Sequence, residues 1–116
     1  MTTDIKTYGP KEATEKFSAF IAACQQKAVE IDCNILEVRV YGDYGWAQAA
    51  FLVDKFGGIA ALVNHFLDGH YTGSYSGANA SKVQSFATIE EALAPVAEAY
   101  KAEEKARENL EMFNCD

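Results

Sequence analysis

His65, Asp68 and His70 form the densest group of potential ligands and proton carriers in this sequence. Imidazole beside carboxylate is the pairing that holds zinc, or that passes protons as general acid and base. The spacing Ile59, Leu62, Val63 and Phe66 predicts a short helix over 58–68. On it His65 and Asp68 share the polar side, and His70 follows the Gly69 stop. That spacing does not complete a ligand set, so no metal, no cofactor and no catalytic residue is expected. Two histidines near a helix end, where positive charge suits the dipole, are the simpler reading.

The cysteines point the same way. A nucleophilic thiol needs a base and an electropositive setting. Cys33 has Asp32 beside it, which opposes the thiolate. Cys24 falls on the apolar side of a predicted helix and reads as packing, and Cys115 lies near the end. Three widely spread cysteines suggest reduced thiols in a cytoplasm, not a disulfide framework.

Between Gly69 and Gly77 the chain is rich in glycine, serine and tyrosine, with Tyr71 and Tyr75. It lacks the lysine of a phosphate loop and the spacing of a dinucleotide fingerprint. Tyrosine, serine and glycine are also the composition of protein-binding loops, and protein contact ranks above nucleotide contact here. Strand character is expected near Tyr71–Tyr75.

The elements that must position these groups start from a hairpin over 35–53. Ile35–Tyr41 alternates as a half-buried strand does, Gly42-Asp43-Tyr44-Gly45 is a cluster of turn formers, and Trp46–Val53 runs back. Folding about Asp43-Tyr44 sets Val40 opposite Ala47, Val38 opposite Ala49 and Leu36 opposite Phe51 on one apolar face. The other face pairs Tyr41 with Trp46 and Arg39 with Gln48. A slip of one residue would exchange the faces, so the pattern specifies its register. A helix over 46–56 is the competing reading, because alanine favours helices. Arg39, Tyr41, Tyr44 and Trp46 combine the residue types that dominate protein interfaces. The competing reading buries that face under a helix.

Around the hairpin, residues 1–9 read as a frayed or edge segment, and 10–31 as one amphipathic helix through Ala13, Phe17, Phe20, Cys24, Ala28 and Ile31. Lys82–Ala87 alternates as a further strand. Thr88 with Glu91 three residues on is a capping box, opening a helix over 88–116 that Pro95 should kink or restart. Its apolar residues change sides, from Ile89, Leu93, Val96 and Tyr100 to Ala99, Ala106, Leu110 and Phe113. The second set suggests self-association through Leu110 and Phe113. This segment holds eight acids against three bases, most of a net charge of −7.

At 116 residues and 49% apolar, the chain is expected to be a single globular domain over 1–116. No apolar run is long enough to span a membrane, and Met1–Lys6 has no signal core, so a cytoplasmic protein is expected. The charge disfavours direct binding to nucleic acid and suits a basic protein surface. The fold class expected is α+β, an antiparallel sheet packed by the N-terminal and C-terminal helices. The function expected is a small acidic protein-binding module. It would act as a stoichiometric inhibitor or antagonist of a nucleic-acid-handling complex, of the phage anti-defence or immunity type. Its contact residues would be Arg39, Tyr41, Tyr44, Trp46, Tyr71, Tyr75, Glu103, Glu104, Glu108 and Glu111. The alternative is a small enzyme or ligand-binding domain using His65, Asp68, His70 and the Tyr71–Tyr75 loop.

Overall fold

The computed structural model of the protein describes residues 2–56, 58–77 and 82–113, the last five as backbone only. The fold is α+β: one six-stranded sheet in the order β1-β2-β3-β4-β5-β6, covered by helices on one face. The strands are β1 (Thr2–Tyr8), β2 (Ile35–Tyr41), β3 (Trp46–Leu52), β4 (Ile59–Phe66), β5 (Tyr71–Tyr75) and β6 (Val83–Phe86). The helices are α1 (Lys11–Glu15), α2 (Ser18–Glu30), α3 (Ile89–Leu93) and α4 (Val96–Phe113). From β2 onward the sheet is an antiparallel meander. Only β1 is parallel to its neighbour, because α1 and α2 carry the chain across between β1 and β2. Among the described residues no helix is long and apolar enough to cross a membrane.

The expected hairpin register is the one present. Val40 pairs with Ala47, Val38 with Ala49, Leu36 with Phe51 and Tyr41 with Trp46, so 46–52 is strand and not helix. Gly45 closes the turn in the left-handed region (φ 75°), its N–H donating to the Tyr41 carbonyl at 2.9 Å. Strand alternation then divides the sheet. Leu36, Val38, Val40, Ala47, Ala49, Phe51, Ala61, Val63 and Tyr75 point to one side, where they join Phe20, Cys24 and Ala28 from α2 and Phe17 from the α1–α2 junction. Leu93, Val96 and Tyr100 complete the core from α3 and α4.

The helix layer is tied down by local chemistry. The Thr88 hydroxyl accepts from the Glu91 N–H at 3.3 Å, as the capping-box spacing requires. Pro95 stops α3 at Leu93, and α4 restarts at Val96. Tyr100 accepts from the Asn34 N–H at 2.8 Å, and the Asn34 amide donates to the Val53 carbonyl at 2.8 Å, latching α4 to the start of β2. Tyr75 leans back over Gly73 and donates its hydroxyl proton to the Ala92 carbonyl. A Cβ at Gly73 would lie 2.0 Å from that hydroxyl oxygen, so glycine is what lets the ring lie there.

Two expectations need correction. Residues 59–66 are the strand β4, not part of a helix over 58–68. A short apolar run satisfies both periods, and pairing on both sides by β3 and β5 decides for strand. Gly69 (φ 102°) therefore closes a β-turn, not a helix. The helix over 10–31 is broken at Lys16–Phe17. The Thr14 and Ser18 hydroxyls bond the Lys11 and Glu15 carbonyls at 2.9 and 2.8 Å, competing with helical bonding, and Phe17 turns inward to full burial. Of the two readings of 1–9, frayed or edge, the edge one holds: 2–8 form an edge strand, whose parallel register with β2 no local pattern announces.

Candidate binding surface

The face of the sheet opposite the helices carries side chains in cross-strand rows set by the pairing register. One row runs Tyr8, Tyr41, Trp46 and Phe66 across β1 to β4. Its rings stack in sequence: Tyr8 on Tyr41 at 5.2 Å and 9°, Tyr41 on Trp46 at 4.6 Å and 26°, Trp46 on Phe66 at 6.4 Å and 24°. His70, from the turn after β4, continues the column on Phe66 at 4.4 Å and 7°. These separations track the spacing between strands. The rings thus stand on the sheet turned face to face, with their edges outward. Offset stacks of this kind are favoured by the ring quadrupoles, at about 0.5–1.5 kcal/mol per pair beyond burial.

The next row is polar: Lys6, Arg39, Gln48, Asn64, Thr72 and Ser85. Within it the Asn64 amide donates to Thr72 Oγ1 at 3.2 Å. At the hairpin tip two apolar side chains stand in solvent, Tyr44 at 81% and Leu67 at 49% exposure. They are neighbours there: Leu67 lies against Gly45, and its N–H donates to the Gly45 carbonyl at 3.0 Å. The aromatic column thus has a polar row beside it, and Tyr44 and Leu67 stand at the tip of the β2–β3 hairpin.

Of the groups singled out for chemistry, Asp68 and His70 meet, while the two imidazole rings stack apart; His65 Nδ1 lies 3.4 Å from the His70 carbonyl. His65 sits on the helix-covered face, stacked on Tyr71 at 4.2 Å with Phe17 and Phe20 around it. His70 lies on the open face against Phe66. Asp68 accepts from the His70 N–H at 3.1 Å and pairs with His70 Nδ1. The first of these contacts, then the second, holds its carboxyl below the usual value. Among the described residues no three of His, Cys, Asp and Glu converge as a metal site requires.

Cys24 and Cys33 are free and buried. Burial pushes the Cys24 thiol up to about 12 and raises that of Cys33, whose Sγ lies 3.2 Å from the Ile35 carbonyl. Both are packing groups. Burial likewise pushes the Tyr75 hydroxyl up to about 12. Tyr75, expected in a contact loop, is an interior residue of β5, and Tyr71 is half-buried beside His65. Neither faces the open side, because both share the strand parity of Val63.

The acidic helix is also separate. Glu103 takes Ser76 Oγ at 3.0 Å and stands 3.2 Å from Arg107 Nε, which is 3.5 Å from Asp54. Neither contact of that Nε is aligned as a hydrogen bond. Glu104 and Glu108 are exposed, while Glu111, Leu110 and Phe113 lie outside the described side chains. The expected contact residues thus fall into three groups: Arg39, Tyr41, Trp46 and Tyr44 on the open face and its tip, Tyr71 and Tyr75 on the covered face, and the glutamates of α4. Sequence reasoning missed Tyr8, Phe66 and His70 as members of the column. Tyr8 depends on a parallel register set through a long crossover, and Phe66 falls within the expected helix over 58–68. Comparison with known proteins finds no matching family, characterised protein or solved structure.

Proposed function

We propose that this protein is a protein-binding module whose contact surface is the open face of its sheet, centred on Tyr41 and Trp46. The observation that carries the reading is the column of stacked rings on the face opposite the described helices, with the exposed Tyr44 and Leu67 at the hairpin tip. Aromatic and arginine side chains on a preformed rigid surface are what interface energetics favour.

The ring orientation selects among ligands. A nucleobase stacks on an exposed ring face. Here the faces are turned to one another, and a net charge of −7 adds repulsion from phosphates. An outward row of ring edges beside Arg39, Gln48, Asn64 and Thr72 suits a mixed apolar and polar protein surface. The acidic α4, on the opposite side of the sheet, would speed approach to a basic partner without touching the contact face. Basic surfaces of that kind are common on proteins that handle nucleic acid. A stoichiometric antagonist of such a complex, acting in the cytoplasm, is the specific form of the proposal. The enzymatic alternative draws less support, since Asp68 pairs with His70 while the His65 ring stacks on the opposite face.

Trp46 is the single tryptophan and sits in the middle of the column, so its fluorescence reads the surface directly. A basic partner captured at one-to-one stoichiometry is expected to shift Trp46 emission, and Tyr41→Ala with Arg39→Ala to weaken binding about a hundredfold. Glu104→Lys with Glu108→Lys is expected to slow association while leaving dissociation unchanged. A complex that leaves Trp46 emission and Tyr41→Ala affinity unchanged would refute the reading.

A further inference from the structure

β1 ends the sheet, and its seven residues make it a long edge. The Thr2 N–H donates to the Asn34 carbonyl at 2.9 Å, so Thr2 faces β2 with its backbone groups. Strand alternation then turns those of Asp4, Lys6 and Tyr8 the same way, and those of Thr3, Ile5 and Thr7 outward, with no strand among the described residues to receive them. The opposite edge, β6, spans only four residues. A long, flat edge is a template for another strand unless something blocks it.

The charges along this edge are mismatched within the chain. Register places Lys6 beside Arg39 and Asp4 beside Glu37, like charges in adjacent strands. None of the four has an ion-pair partner among the described residues. Ile5 is 41% exposed on the helix side of the strand.

We propose that the outer edge of β1 pairs with the same edge of a second copy, antiparallel and centred on Ile5, forming one continuous sheet about a two-fold axis. The sequence Thr2-Thr3-Asp4-Ile5-Lys6-Thr7-Tyr8 is self-complementary in that register. Ile5 meets Ile5 of the second copy, Thr3 meets Thr7, and Asp4 meets Lys6. The outward groups of Thr3, Ile5 and Thr7 fall into the hydrogen-bonded positions. Asp4 and Lys6 fall into the non-hydrogen-bonded positions, where side chains approach closest. Each charge that now sits beside its like gains an opposite charge on its free side.

The alternatives explain why this register is chosen. Shifting by two residues in one direction keeps the backbone phase but sets Asp4 against Asp4, and in the other direction Lys6 against Lys6. Like charges directly opposed are destabilising. The two-fold axis stands perpendicular to the sheet, so both open faces lie on the same side. The dimer would present two aromatic columns on one surface, a bivalent form of the contact face proposed above. The pairing itself does not depend on that reading.

Sedimentation equilibrium on the full chain tests this over a range of concentrations. The mass is expected to rise from 12.7 kDa toward twice that value. Lys6→Glu and Asp4→Lys, each creating two like-charge pairs across the axis, are each expected to weaken the dimer by about tenfold or more. The double variant D4K/K6E restores opposite pairs and is expected to return affinity close to the original. Ile5→Pro removes an outward N–H while sparing the bonds to β2, and is expected to give a folded monomer by circular dichroism. A chain that stays monomeric up to ~1 mM, well above the range of ordinary specific association, overturns the proposal. So does a dimer indifferent to the single reversals, or a double variant as weak as the singles. Should Ile5→Pro fail to fold, the charge cycle still decides, since both positions are exposed.

Discussion

The two faces of this sheet are built by the same alternation and do opposite things. The covered face uses Val, Leu, Ala and Phe at full burial, and the Tyr75 hydroxyl that enters it is matched to the Ala92 carbonyl. The open face uses rings that pack on one another across strands and leave their edges in solvent. The first face is stabilised by exclusion of water and the second by lateral stacking. A residue of similar size therefore has a different job on each side, and the largest expected effect separates them. Phe51→Ala on the covered face should cost about 3–5 kcal/mol through lost burial and the cavity left behind. Trp46→Ala, half-buried in the column, should cost about 2 kcal/mol or less while removing the centre of the contact surface. Urea unfolding of both variants checks this. Equal losses would make the column a second core, and the open face would lose its claim as a binding surface.

This division was half legible in the sequence. The β2–β3 register followed from Val38, Val40, Ala47 and Ala49 because a one-residue slip would bury Arg39 and Gln48. Thr88, Glu91 and Pro95 announced their helix boundaries because capping and proline chemistry are local. What local chemistry cannot report is which distant segment lies alongside. The parallel docking of β1 and the conversion of 59–66 into a central strand depend on neighbours that no window contains. The aromatic column therefore came into view as the pair Tyr41 and Trp46, with Tyr8, Phe66 and His70 added only by assembly. The separation of Tyr71 and Tyr75 from that column follows from the same assembly, since they are exposed or buried only by virtue of strand parity.

A smaller effect sharpens the covered side. Gly73→Ala places a Cβ against the Tyr75 hydroxyl and must displace the ring from its bond to Ala92, at an expected cost of about 1–3 kcal/mol. Tyr75→Phe leaves the Ala92 carbonyl unpaired, for about 1 kcal/mol. Because the Tyr75 proton is held up to about 12, against 10.0 unperturbed, the native state keeps a proton that the unfolded chain releases. The contribution of this group is complete below 10.0 and declines as pH rises toward about 12. Alkaline denaturation of the wild type and Tyr75→Phe should converge over that interval. Curves that stay parallel would show that Tyr75 is not the group being titrated.

The smallest effect lies at the end of the column. Asp68 is fully exposed, and its carboxyl is lowered by the His70 N–H first and by the His70 ring second. A lowered carboxyl contributes above its unfolded value of 3.8 and loses that contribution as pH falls through its folded value. Solvent screening keeps the stability change small. The larger consequence is positional, because the same contact sets the His70 ring against Phe66, the last stack in the column. Asp68→Asn keeps an acceptor for the His70 N–H but removes the charge beside the ring. Its thermal midpoint should fall slightly below the wild type near neutral pH, and the two should merge once Asp68 is protonated. The ring-current shift of Phe66 on the His70 protons should weaken over the same range. If that shift is unchanged in Asp68→Asn, stacking alone holds His70, and the column reaches its full length without help from the turn.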